Sequence, residues 1–154
     1  MSALPSQAYL KTKVVTASPA ELRLMLLDGA IRFAEQTKAG YERNDYERAY
    51  EGTTKCQAIL TELLCALRPD RSPELCQQLS ALYTFLYRSM VEASANKSAA
   101  KVEEVLKLLR YERETWVLLM QELAKGNGET SSPSNPIDGG GEHASEQPRL
   151  TLRG

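Results

Sequence analysis

The sequence has 154 residues, enough for one domain with a hydrophobic core that needs no disulfide or metal to hold it. Lysine and arginine total 19 and aspartate and glutamate total 20, so neither sign of charge dominates. This balance argues against a nucleic-acid-binding surface or an acidic substrate. The three cysteines lack the C-x-x-C spacing of metal and redox sites, and we expect all three to be small buried residues: Cys56, Cys65 and Cys76.

Residues 1–17 are predicted to form a short leader before the first helix. They contain no apolar block as long as that of a signal peptide. The apolar run that follows is interrupted by Arg23, Asp28 and Arg32, so it does not read as a membrane-spanning segment. We therefore expect a cytoplasmic protein that does not insert into a membrane.

Four helices are predicted from capping residues and apolar spacing. Ser18 is the expected N-cap of the first helix, with Pro19 at N1 and Glu21 at the N3 position of a capping box. Asn44, Ser72 and Ser98 are the expected N-caps of the other three, and Gly126 is the expected stop. The predicted helices span residues 19–43, 45–67, 73–94 and 99–125.

Each of the last three helices carries one apolar stripe at spacings of three and four residues. In the third helix the stripe runs from Leu75 to Ala93, and in the fourth it runs from Val102 to Leu123. Helices of similar length joined by short connections favour an all-α fold, an antiparallel up-down-up-down four-helix bundle over residues 1–125. Residues 126–154 are rich in glycine, serine, proline and acids, so we expect a disordered tail.

Catalytic chemistry has little support in the sequence. The single histidine, His143, lies in the predicted tail, so the predicted bundle has no Ser-His or Cys-His pair and no Cys/His zinc ligands. No glycine-rich phosphate-binding loop is present. The glutamates of the fourth helix read as a solvated face. We predict no catalytic residue, no cofactor and no metal.

The first helix is unusually apolar. On a helical wheel its apolar residues cover an arc of about 260°, with only Arg23 among them. This arc is wider than the face that a bundle helix normally buries, and three explanations remain open. The leader covers the surplus, a second copy covers it as a weak homodimer, or a partner occupies a peptide-receiving groove with Tyr83 and Tyr87 at its rim.

Several segments resemble the FliS family of flagellin export chaperones. Tyr9, Val14, "TASPAEL" and "MLLDGAIRF" are similar to the opening signature of that family, Y-x4-V-x-T-A-S-P-x2-L-x2-M-L-Y-D-G. "NDYERAYEGTTKCQAILTELLCAL", "LYTFLYRSMVEAS" and "LLRYERETWVLL" resemble its later helices. The resemblance covers residues 7–123. The family usually has tyrosine where this chain has Leu27, and this chain has the longer tail.

The resemblance implies a helical bundle that holds the disordered C-terminal segment of flagellin, prevents premature polymerisation and delivers it to the gate of the flagellar type III export apparatus. It makes flagellin and the export gate the expected partners. The amphipathic client segments would lie in apolar grooves between helices. An adaptor that self-associates, or that serves an unrelated protein, stays the alternative. The expected client-binding residues are Tyr9, Val14, Leu24, Leu27, Ile31, Tyr83 and Tyr87.

Overall fold

The computed structural model of the chain describes residues 7–129, and this part is all-helical. The all-helical class predicted from the sequence is therefore confirmed for the described residues. None of the helices between residues 7 and 129 has the length and apolarity needed to cross a bilayer. The helices are α1 (Gln7–Thr16), α2 (Pro19–Glu42), α3 (Tyr46–Cys65), α4 (Pro73–Asn96) and α5 (Ala99–Glu129).

The longer helices, α2 to α5, share one hydrophobic core. α2 packs against α3 and α5, and α4 packs against the same two helices. Contacts at the two ends of α2 show that α5 runs antiparallel to it, because Trp116 contacts Ala20 and Glu103 contacts Lys38. The largest fully buried side chains come from all four helices: Leu27, Leu60, Tyr83, Leu86, Met90, Leu106 and Leu109.

The helix starts agree with the predicted caps in part. The Ser18–Glu21 capping box is confirmed, with backbone to side-chain hydrogen bonds in both directions, and Ser98 accepts from the Lys101 amide. Asn44 was the wrong cap for α3, because Asp45 accepts the hydrogen bond from Arg48. Asn44 instead takes a left-handed backbone conformation (φ 57°) between the two helices, which asparagine tolerates better than most residues.

A fifth helix, α1, forms where the sequence predicts only a leader. None of its residues is buried, so its hydrogen bonds are mainly local. The hydroxyls of Thr12 and Thr16, for example, donate to carbonyl oxygens of its own preceding turn. The apolar periodicity of this segment is weak, which explains why apolar spacing failed to predict it.

At the other end, α5 continues through Gly126 to Glu129, so the predicted stop is wrong. Glycine permits the left-handed conformation that ends many helices but does not require it, and no described glycine has a positive φ. The first four residues of the predicted tail thus belong to α5. The rest of that tail, residues 130–154, and residues 1–6 of the leader lie outside the described residues.

The wide apolar arc of α2 is absorbed by its two neighbours. Every large apolar side chain of α2 is buried or half-buried, so most of this arc is covered within the described residues. Close approach to α3 explains much of this. A Cβ atom at Gly52 would lie 2.7 Å from the Phe33 carbonyl oxygen, and one at Gly40 would lie 2.7 Å from the Ala49 nitrogen. Glycine at these positions lets the two backbones approach until the side chains between them are covered.

Candidate binding surfaces

Exposed apolar side chains gather where α4 and α5 extend beyond the start of α2. Trp116 of α5 lies level with Ala20 in the first turn of α2, and α5 continues to Glu129. Tyr83 of α4 lies level with Arg23, and α4 begins ten residues earlier, about 15 Å away along the helix axis. We call the core-facing apolar side chains of these two ends the overhang: Leu75, Leu79, Leu119, Met120 and Leu123.

The overhang continues the core stripes of α4 and α5 into a region that α2 does not reach. Leu75 is 46% exposed and Leu123 is 57% exposed, although both lie on the stripes that the sequence assigned to the core. Leu79 and Met120 are half-buried. The side chains therefore have the pattern of core residues without the opposing helix that would cover them.

A second apolar surface is a groove between α3 and α4, with a volume of about 550 Å³. The α4 side is formed by Thr84, Tyr87, Arg88, Val91 and Glu92, whose spacing of three and four residues places them along one face of the helix. Leu64 lies on the α3 side. Phe85, 55% exposed, lines a neighbouring depression that shares Thr84 and Arg88. An apolar strip with one arginine and one glutamate suits the apolar face of an amphipathic helix, without a preference for the sign of the charge that the helix carries.

The residues predicted to bind a client do not form one patch. Leu27 and Tyr83 are fully buried in the core, so neither lies at an open surface. Leu24 and Ile31 are half-buried on α2. Tyr87 lines the α3–α4 groove, while the remaining two are exposed on α1: Tyr9 and Val14.

A largely buried polar cluster joins α2, α4 and α5 beside the overhang. The Arg23 guanidinium donates to the Tyr83 hydroxyl at 2.5 Å, and its Nη2 lies 3.9 Å from Glu112. The Tyr83 hydroxyl donates in turn to Glu112 at 3.4 Å. Arg23 also stacks on Trp116, 4.7 Å from the ring centroid, and the Trp116 ring N–H donates to the Ala20 carbonyl at 3.0 Å.

Burial controls the acid–base behaviour of this cluster. It raises the pKa of Tyr83 to about 12, so the phenol is neutral at physiological pH. Burial also raises the pKa of the Glu112 carboxyl above its ordinary value, and the opposing attraction of Arg23 does not cancel this effect. Within residues 7–129 no group of three or more His, Cys, Asp or Glu side chains could hold a metal ion.

The sequence reasoning missed several of the exposed apolar residues that line these surfaces. The stripes of α4 and α5 were visible in the sequence, but their ends were assigned to the core because the lengths of the paired helices could not be compared. Phe85 and Val91 lie off the predicted stripe of α4, so apolar spacing gave no reason to include them. The predicted site also omits Leu75, Leu119 and Leu123.

Comparison with known proteins adds a family to this geometry. Residues 1–123 match the profile of the family described as Flagellar protein FliS. The flagellar secretion chaperone FliS of Bacillus subtilis is 33% identical over 117 residues, which cover 76% of this chain and 86% of that protein. The flagellar secretion chaperone FliS of Salmonella typhimurium is 30% identical over 112 residues, covering 72% and 83%. The chain belongs to the FliS family of flagellar proteins.

Proposed function

We propose that this protein is a cytoplasmic export chaperone for flagellin. It binds the C-terminal segment of flagellin, prevents premature polymerisation and delivers the subunit to the gate of the flagellar type III export apparatus. Two relatives with at least 30% identity are named flagellar secretion chaperones, which supports a non-enzymatic role. The proposal also keeps the up-down-up-down arrangement of α2 to α5, which the antiparallel contacts between α2 and α5 support.

The observation that carries the proposal is the pair of uncovered apolar surfaces in a member of this family. A client segment that is unfolded alone can form a helix on such a surface, because its apolar face and the groove are then removed from water together. Coupled folding of this kind commonly buries on the order of 1,000 to 3,000 Å², and ordering the client offsets about 2 to 5 kcal/mol of the gain. Binding is then specific but reversible, as delivery requires.

We place the client contacts on the overhang and on the α3–α4 groove. From the expected client-binding residues we keep Tyr87 and the half-buried Leu24 and Ile31. Tyr9 and Val14 of α1 are placed at the edge of the client-binding surface. Leu27 and Tyr83 act through the core that supports these surfaces. Leu75, Leu119, Leu123, Phe85 and Val91 are added to the proposed contacts.

The test is calorimetric titration of the purified chain with flagellin and with flagellin that lacks its C-terminal segment. We expect saturable one-to-one binding of the first protein and no binding of the second. Equal binding of both would contradict the proposed recognition of the C-terminal segment. Binding of neither, together with a mass by light scattering that doubles with concentration, would favour the self-associating adaptor.

Matched variants locate the surface. Leu123→Ser removes an apolar side chain of the overhang, while Leu118→Ser removes a leucine of similar exposure, 62%, on the outer side of the same helix. Tyr87→Ser in the groove is matched by Tyr111→Ser, another exposed tyrosine. We expect Leu123→Ser and Tyr87→Ser to weaken flagellin binding about tenfold, and their controls to change it less than twofold, with all four proteins equally helical. Equal effects within each pair would contradict the assignment of the surface.

A further inference from the structure

The apolar surface of α2 does not by itself specify the rotation and register of its first turns against the neighbouring helices. Leu22, Leu24, Met25 and Leu26 are half-buried neighbours of similar volume, so a rotation of the helix by about 40–60° exchanges one apolar side chain for another. Contacts of this kind stabilise the helix in several orientations nearly equally. Something directional must therefore select one of them.

Arg23 is the polar residue within this apolar arc, and its partners are directional. Its guanidinium meets the Tyr83 hydroxyl of α4, the Glu112 carboxylate of α5 and the face of the Trp116 ring. Rotating or sliding the start of α2 would separate a largely buried charge from all three partners at once. A buried unpaired charge is costly, so alternative orientations are disfavoured far more strongly than apolar contacts alone would disfavour them.

The cluster is poorly arranged for maximum stability. Nε of Arg23 is the only buried side-chain polar atom of the described residues that lacks a hydrogen-bond partner. The distance from Arg23 to Glu112, 3.9 Å, is also longer than that of a hydrogen-bonded ion pair. Replacing such a pair by apolar residues often leaves stability unchanged or raises it. We propose that Arg23 is a positioning residue, which fixes the rotation and register of the first turns of α2 against α4 and α5.

The chain carries its own reporter of this position. Trp116 is the only tryptophan in the sequence, and it contacts both Arg23 and the backbone of Ala20. Its fluorescence emission responds both to loss of the Arg23 guanidinium and to displacement of Ala20, so a shift is evidence of displacement only when exchange of residues 22–26 also becomes faster. Amide hydrogen exchange of residues 22–26 gives an independent measure of the same segment.

The experiment compares the unmodified chain with the triple variant Arg23→Leu/Tyr83→Phe/Glu112→Leu, in which the Tyr83 hydroxyl is removed together with its two partners. We expect the urea midpoint to be unchanged or higher, while Trp116 emission shifts and exchange of residues 22–26 becomes at least about threefold faster. The control is Glu35→Gln/Arg110→Gln, which removes an exposed pair between the same two helices, 3.0 Å apart, and should leave both signals unchanged. Unaltered emission and exchange in the triple variant would overturn the proposal.

A second variant keeps the proposal testable if the triple variant does not fold. Arg23→Lys keeps the charge but loses the planar fork that reaches Tyr83 while stacking on Trp116. We expect it to fold and to show a smaller shift of emission in the same direction, and an unshifted spectrum would count against positioning. A loss of flagellin affinity in either variant is a further consequence that rests on the proposed function. Failure of the unmodified chain to bind flagellin would reject that function without altering the fluorescence and exchange result.

Discussion

The middle of α2 and the overhang contain similar apolar residues in opposite situations. Around Gly40 and Gly52 the backbones of α2 and α3 approach so closely that a Cβ atom at either glycine would lie 2.9 Å or less from its three nearest neighbours. At the overhang, Leu75 and Leu123 are roughly half exposed. The two segments differ in whether another helix faces them, because their hydrophobicity alone would favour the burial of both. An apolar stripe thus shows which residues another helix can bury, and the lengths of the neighbouring helices determine which of these residues stay exposed.

The largest expected effect comes from truncating one leucine in each region. Leu27→Ala removes a fully buried side chain and should lower the free energy of unfolding by about 2–5 kcal/mol. Leu123→Ala should change it by less than about 0.5 kcal/mol, because the side chain is already largely in water. Urea unfolding followed by circular dichroism measures both. Similar losses would show that the overhang is packed in solution and would remove the contrast between the regions.

A smaller effect is expected from adding one methyl group. Gly52→Ala places a Cβ atom 2.7 Å from both the Phe33 carbonyl oxygen and the Thr37 hydroxyl, so the helices must separate. We expect a loss of about 1–3 kcal/mol in urea unfolding. Gly126→Ala is the control, since its Cβ atom would meet nothing within 4 Å, and it should be neutral or stabilising by up to about 1 kcal/mol. A Gly52→Ala protein as stable as the unmodified chain would mean that α2 and α3 are less closely packed than described.

The smallest effect is the pH dependence that Glu112 contributes. Because its pKa is raised in the folded chain, its contribution to stability is fully present below the pKa of the unfolded carboxyl and is lost as the pH rises through the folded value. Relative to Glu112→Gln, the unmodified chain should therefore become less stable on going from acid to neutral pH. Glu103, whose pKa is lowered by its bond with Lys38, is present in both proteins. Its opposite pH dependence therefore cancels when the two free energies of unfolding are subtracted. If the unmodified chain instead gains stability relative to Glu112→Gln as the pH rises, the direction assigned to the Glu112 pKa shift is wrong.

Local signals in the sequence predicted much of the fold. The Ser18–Glu21 capping box fixed the start of α2, and the apolar stripes identified the core faces of α3, α4 and α5. These features depend on neighbouring residues within one helix, so they can be read without a structure. The one-residue error at Asn44 has the same origin, because asparagine and aspartate are both good caps and stand side by side.

The candidate surfaces could not be predicted in the same way. Whether Leu123 is core or surface depends on where α2 begins opposite α5, and whether Leu27 is exposed depends on how closely α3 approaches. Both are relations between distant segments. The partners of Arg23 are also distant, since 60 residues separate it from Tyr83. The sequence marked Arg23 only as a polar interruption, with no indication of what would surround it.

The ion pairs between α2 and α5 have a consequence for how the molecule behaves at interfaces. Apart from the largely buried Arg23–Glu112 pair they are partly exposed, so each contributes little to stability, but together they hydrate that side. The α3–α4 side carries Phe85, Tyr87 and Val91 instead. Sulfate salts strengthen apolar association, whereas ionic strength weakens exposed ion pairs. On a hydrophobic chromatography resin in ammonium sulfate the protein should therefore adsorb in one orientation, with α3 and α4 against the resin and the charged seam of α2 and α5 facing the buffer.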